Sequence, residues 1–206
     1  TVMVSAFRLY HKKTKCILLE AEKKPLQFIQ NQSRLNEANM LVTMDHFKLV
    51  KQLTKKYKNN VEIITFHGQT IYHNYEKKLS IQIGDPQLLA DLSRINVVAK
   101  LRENDINHGG HGAPISPIYH QSIIDQMSLD LPACFINIGG VSNLTYWDGK
   151  NLIGFDTGPG NGLLDKLIKV RTGKDYDYNG SFASKGTPNT QLLKTFINNK
   201  YFNKKP

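Results

Sequence analysis

Gly154-Phe155-Asp156-Thr157-Gly158-Pro159-Gly160-Asn161 decides how this chain is read. The segment follows a predicted strand and runs straight into an amphipathic stretch, residues 161–171, whose Leu163, Leu164, Leu167 and Ile168 fall on one helical face. Gly173 then supplies the left-handed stop of that helix. A glycine-rich turn between a strand and a helix lets backbone approach a ligand closely, and a helix start offers unpaired N–H donors suited to an anion. Asp156 is expected in the turn at the strand end, where a carboxylate can act as a general base. The plainer alternative is that Asp156 and Asn161 do no more than cap the helix.

Working outward, residues 133–138 and 142–147 read as two strands on either side of Gly139-Gly140, a hairpin. Upstream, residues 61–66, 79–83 and 95–99 are short apolar, β-branched runs and read as strands. Asp85 and Pro86 are the N-cap and first residue of a helix over 87–93. Residues 116–127 and 191–198 read as helices, and so do 34–57, where Phe47, Val50, Leu53 and Tyr57 recur at helical steps. Residues 15–21 fit either a strand or a helical turn, and residues 1–33 stay unassigned. The pattern is mixed α/β.

Composition is that of an ordinary globular chain, with 40% hydrophobic and 21% charged residues among 206. No apolar run is long enough for a membrane helix, and no signal peptide is read at the start. The net charge of +10 comes from dispersed lysines without a basic, aromatic-interleaved stripe, so neither nucleic acid nor a membrane is expected as partner. Cys16 and Cys134 sit in apolar runs with no metal-ligand spacing and are expected to be buried free thiols of a cytoplasmic protein. Five of the seven histidines lie between His67 and His120, but none has the spacing of a metal site, and no metal is expected on the protein.

Three further polar clusters share the logic of the first: His67-Gly68-Gln69-Thr70, Asn137-Ile138-Gly139-Gly140-Val141-Ser142-Asn143, and, between them, Gly109-Gly110-His111-Gly112-Ala113-Pro114. In order, HGQT, IQIGD, VVAxxRxxD, GGxGAP, NIGGxxN and GFDTGPGN, with DYNGSFASKG after the helix, the sequence resembles the anhydro-N-acetylmuramic acid kinase family. The match is clear over residues 61–206.

The resemblance implies an α/β, actin-like sugar-kinase (ASKHA) fold of two lobes around a cleft. It is incomplete here: one partial kinase domain over 1–206, with one lobe, part of the cleft and no second lobe. It implies ATP-dependent phosphorylation of 1,6-anhydro-N-acetylmuramic acid at O6 with hydrolytic opening of the anhydro ring, in peptidoglycan recycling, and a homodimer as the assembly. ATP and Mg²⁺ would be the cofactors, and the anhydro amino sugar the other small-molecule partner. Asp156 would be the base that activates water. His67, Gln69, Thr70, Arg102 and Asp105 would meet the sugar, with Arg102 facing the lactyl carboxylate or, equally, paired at the surface with Glu103 or Asp105. Asn137, Gly139, Gly140, Gly158 and Asn161 would face phosphate.

Three departures stand against full activity. The family's opening MSGTSxDG phosphate loop is not found, Lys100-Leu101 replaces an acidic-aromatic pair, and His111 stands where glutamine is usual. The polypeptide alone is therefore expected to have little or no kinase activity and to leave the 191–198 helix half covered. An inactive remnant or a non-catalytic sugar-binding fragment is the alternative reading.

Overall fold

The computed structural model describes residues 5–57 and 61–203. The chain forms two compact units, one ending at Ala113 and the other starting at Pro114. In the first, α1 (Lys12–Lys23), α2 (Pro25–Phe28) and the long α3 (Gln32–Tyr57) precede β1 (Ile63–Thr65), β2 (Gln69–Asn74) and β3 (Leu79–Ile83). Then come α4 (Pro86–Ser93), β4 (Asn96–Val98) and α5 (Leu101–Asn107). β1 pairs with β4 in parallel, and β2 with β3 antiparallel.

Local chemistry explains several of these bounds. The Asp85 side chain accepts a hydrogen bond from the Leu88 amide at 2.9 Å and caps α4, with Pro86 at its first turn as expected. The same turn is tied to α3, because the Gly84 amide donates to Asn39 Oδ1 at 2.9 Å and the Asp85 amide to Thr43 Oγ1 at 2.8 Å. The ambiguous run at 15–21 is helical. Ile17, Leu18 and Ala21 are buried from α1, together with Phe28, Ala38, Val42, Phe66, Ile71, Ile83 and Leu89 in one core. Phe47 and Val50 pack at its edge, and the Tyr57 side chain lies outside the described residues. A register shift in the β2–β3 pair leaves Ile71 unpaired and turns it into this core.

The second unit begins with α6 (Ser116–Met127), followed by β5 (Ala133–Ile138), β6 (Val141–Trp147), β7 (Leu152–Pro159) and α7 (Asn161–Thr172). Short 3₁₀ turns and α8 (Thr190–Ile197) follow. The strands form one antiparallel sheet in the order β5-β6-β7. α6 covers the face that carries Phe135, Thr145 and Gly154. His120 stacks on Phe135 at 4.8 Å between ring centres and hydrogen-bonds Thr145 Oγ1 at 2.8 Å through Nδ1. A Cβ on Gly154 would collide with Pro117.

Three expectations need correcting. Cys16 and Cys134 are exposed rather than buried. Asp156 lies inside β7, since pairing with β6 keeps the backbone extended through the whole GFDTGP run. The cap of α7 is Gly160, with no side-chain hydrogen bond, so neither Asp156 nor Asn161 caps that helix.

Candidate functional site

The sequence motifs converge at two places, one in each unit. In the first, Arg102 on α5 donates from Nε to His67 Nε2 at 2.8 Å and from Nη1 to the Gly112 carbonyl at 2.8 Å. His67 Nδ1 meets the Gly68 carbonyl at 3.1 Å. A carbonyl only accepts and an arginine only donates, so His67 here is the neutral Nδ1–H tautomer. Asp105 Oδ2 accepts from the Gly112 amide at 2.7 Å. The α5 side chains thus hold the 109–113 loop from both sides, and a Cβ on Gly110 would run into the Asp105 carboxylate. His67, Gly68, Gln82, Lys100 and Arg102 line a cleft of about 200 Å³. Lys100 and Leu101, one of the departures noted above, lie on this same cleft, and Lys100 pairs with Glu103 at 3.3 Å. Thr70 Oγ1 sits 3.4 Å from Gln82 Nε2, and Gln69 Oε1 sits 3.5 Å from the Tyr10 hydroxyl. His111 stacks on Tyr75 with ring centres 4.6 Å apart, so the substitution joins the loop to the β2–β3 turn.

In the second unit the register places Asn137 opposite Asn143, and Asn143 opposite Asp156. Directly opposed residues of an antiparallel sheet point to the same face. The three side chains therefore form one row, two residues along from the Phe135–Thr145–Gly154 row under α6. A bulge follows at once, because Asn143 pairs with Asp156 but Ser142 pairs with Gly158, leaving Thr157 over. Bulges of this kind re-aim side chains. Gly158 takes φ +141°, in the region that favours glycine, with the Tyr201 ring 3.1 Å from where a Cβ would stand.

The hairpin turn and the start of α7 are bound to each other. The Gly160 and Gly162 amides donate to the Gly140 carbonyl at 3.0 and 3.2 Å, and the Asn161 amide donates to the Gly139 carbonyl at 2.7 Å. Asn161 Nδ2 adds a bond to the Ile138 carbonyl at 3.1 Å. The turn's own carbonyls thus take the Gly160, Asn161 and Gly162 amides. The Gly139 and Gly140 amides donate no hydrogen bond among the described residues, and space is open around Gly140. Among those residues no group of three or more His, Cys, Asp or Glu side chains could hold a metal ion. No helix is long and apolar enough to cross a membrane.

The sequence profile of the anhydro-N-acetylmuramic acid kinase family matches residues 8–206. This chain belongs to that family. Proteins named anhydro-N-acetylmuramic acid kinase from Pelagibacter ubique and Agrobacterium fabrum are 44% and 40% identical to it over 82% of its length. One from Rhodopseudomonas palustris is 38% identical over 97%. These alignments cover 46%, 47% and 56% of the relatives, so the chain spans about half the length of the curated relatives it matches.

Within this kinase family member, Asn143 closes the NIGGxxN motif, and the motif reading gave it no role. Its signal was present in the sequence. In a hairpin turning about Gly140, residues equally distant on either side oppose each other, and Asn137 and Asn143 are three away in each direction.

Proposed function

We propose that the chain carries sugar-handling and base functions of an ATP-dependent anhydro-N-acetylmuramic acid kinase with the actin-like sugar-kinase fold. The observation that carries this is the Asp156 carboxylate. It is exposed on a bulged strand and takes no hydrogen bond or ion pair among the described residues, in a chain of this kinase family. A carboxylate without a protein partner has its acceptor capacity available for a water molecule.

In the reaction, Asp156 takes a proton from water as the water oxygen bonds to C1 of the sugar. The C1–O6 bond breaks, and O6 attacks the γ-phosphorus of ATP in line, releasing ADP. The Gly139 and Gly140 amides are the backbone donors left for a phosphate oxygen. In the first unit, Arg102 and Asp105 hold the 109–113 loop, and Arg102 holds His67 beside it. Mg²⁺ bound with the phosphates of ATP would offset their negative charge.

The test is conversion of the anhydro sugar with ATP in oxygen-18 water, by the chain and by a chimera extending it with the remaining length of the Pelagibacter ubique relative. Turnover by the chimera of about 1–100 s⁻¹, with the label at C1 and none in the phosphate, supports the reading. Label in the phosphate would overturn it. A chimera that binds the sugar but transfers no phosphoryl group would make this chain a non-catalytic sugar binder.

A further inference from the structure

On the face of the sheet beneath α6, polar side chains find partners inside the protein until the last row. Thr145, fully buried, meets His120, and Trp147 Nε1 donates to Asp125 at 3.3 Å. Asn137, Asn143 and Asp156, the row beyond, have no side-chain hydrogen bond or ion pair among the described residues. Strands lie about 4.8 Å apart, so the row is a polar strip about 10 Å long, with the half-buried Asn143 in its middle.

The chemistry of the strip narrows its ligand. The Asp156 carboxylate, with no arginine or lysine in the row, repels a phosphate, and the two neutral carboxamides suit groups that donate and accept together. A sugar hydroxyl or acetamido group does both. A pyranose ring, about as wide as one inter-strand spacing, reaches from Asn143 to Asp156 and leaves Asn137 for the next substituent.

We propose that Asn143 is a sugar-contacting residue, holding a hydroxyl or acetamido group of the amino sugar beside Asp156, and that the Asn137 side chain belongs to the same strip rather than to a phosphate site. The inference rests on the kinase reading above and adds to it the residue that sets the sugar against the base.

The experiment is a titration of the full chain with 1,6-anhydro-N-acetylmuramic acid. It is followed by calorimetry and by the side-chain carboxamide signals in nitrogen-15 NMR. Asn143→Ala should weaken binding about tenfold, the loss of one to two neutral hydrogen bonds. Asn143→Ser should recover part of the loss. The Asn143 carboxamide signals should shift on saturation. This readout needs no variant and stands even if Asn143→Ala does not fold. Binding by the parent with unmoved Asn143 signals, or an Asn143→Ala affinity within twofold of the parent, overturns this inference and leaves the kinase reading standing. No binding of the sugar by the parent chain at millimolar concentration overturns the sugar-handling reading of this chain and this inference together.

Discussion

At the scale of single residues, the weight falls on Asp156. Its carboxylate makes no hydrogen bond or ion pair among the described residues, and α7 is capped by Gly160, so removing its charge should cost little stability. In the chimera described above, Asp156→Asn should lower turnover by roughly a hundredfold or more while the melting temperature moves little. A variant that keeps its turnover would rule out the base role. Arg102 makes a contrasting case. Its two described bonds hold His67 and the Gly112 carbonyl, so it shapes the 109–113 loop whatever it does to a substrate. Lysine cannot reproduce that fork, because it offers a point charge in place of planar, fixed donors. Arg102→Lys should therefore release the loop, seen as faster amide exchange at Gly112 with the rest of the unit unchanged.

At the scale of elements, the junction between the β5–β6 turn and α7 depends on bare backbone. A Cβ on Gly160 would collide with the Gly139 carbonyl and stand 2.7 Å from Ser142 Oγ. Gly160→Ala should destabilise the second unit by about 1–3 kcal/mol, measured by urea denaturation. Asp45 plays a comparable part in the first unit. Burial alone would push its carboxyl up, yet the His11 amide, the Thr14 hydroxyl and the Lys48 ammonium together hold it below the usual range. A depressed carboxyl contributes stability above the unfolded value, about pH 4 for aspartate, and loses it as pH falls through the folded value. Asp45→Asn should cost about 1–3 kcal/mol near pH 7 and flatten the acid limb of the stability curve below about pH 4. Elements with local signals were legible in the sequence: the Asp85-Pro86 start of α4, the Gly139-Gly140 hairpin, and α6 to its last residue. β2 and β7 were not. Each exists because a partner strand pairs with it: β7 is rich in Gly and Pro, and β2 is mostly polar and starts straight after the His67-Gly68 turn. The same non-locality hid the pairing of the first α7 amides, whose acceptors stand about twenty residues upstream. It also hid the Asn137–Asn143–Asp156 row, which needs the register of three strands. α5 escaped because its cap position, Lys100, is left-handed and carries no capping side chain.

At the scale of the whole molecule, the two units differ in how much apolar surface they bury. Among the described residues, all of the main core belongs to the first unit, while the second buries Pro117, Ile124 and Ile168. Its apolar groups are outside: Ile136 and Ile138 on β5, Leu163, Leu164, Leu167 and Val170 on α7, and Leu192, Leu193, Phe196 and Ile197 on α8, the last four 50–60% exposed. The helix expected to be half covered has this exposed stripe. Two consequences follow from the hydrophobic term alone. Burial stabilises by about 25 cal/mol per Å², so a unit with so few buried apolar side chains has a thin margin over its chain entropy. Contiguous exposed apolar surface also promotes association. Hydrogen exchange should therefore protect α1, α3 and β3 to the greatest depth and leave α7 and α8 the first to exchange, by a sub-global opening of the second unit. The elution volume of the purified chain should fall with concentration, and apolar dyes should bind it. Replacing Leu193 and Ile197 on α8 by glutamate should restore a concentration-independent monomer without altering exchange in the first unit. Equal protection across both units, with no dye bound and a monomer at every concentration, would show that the apolar faces of the second unit are covered in solution.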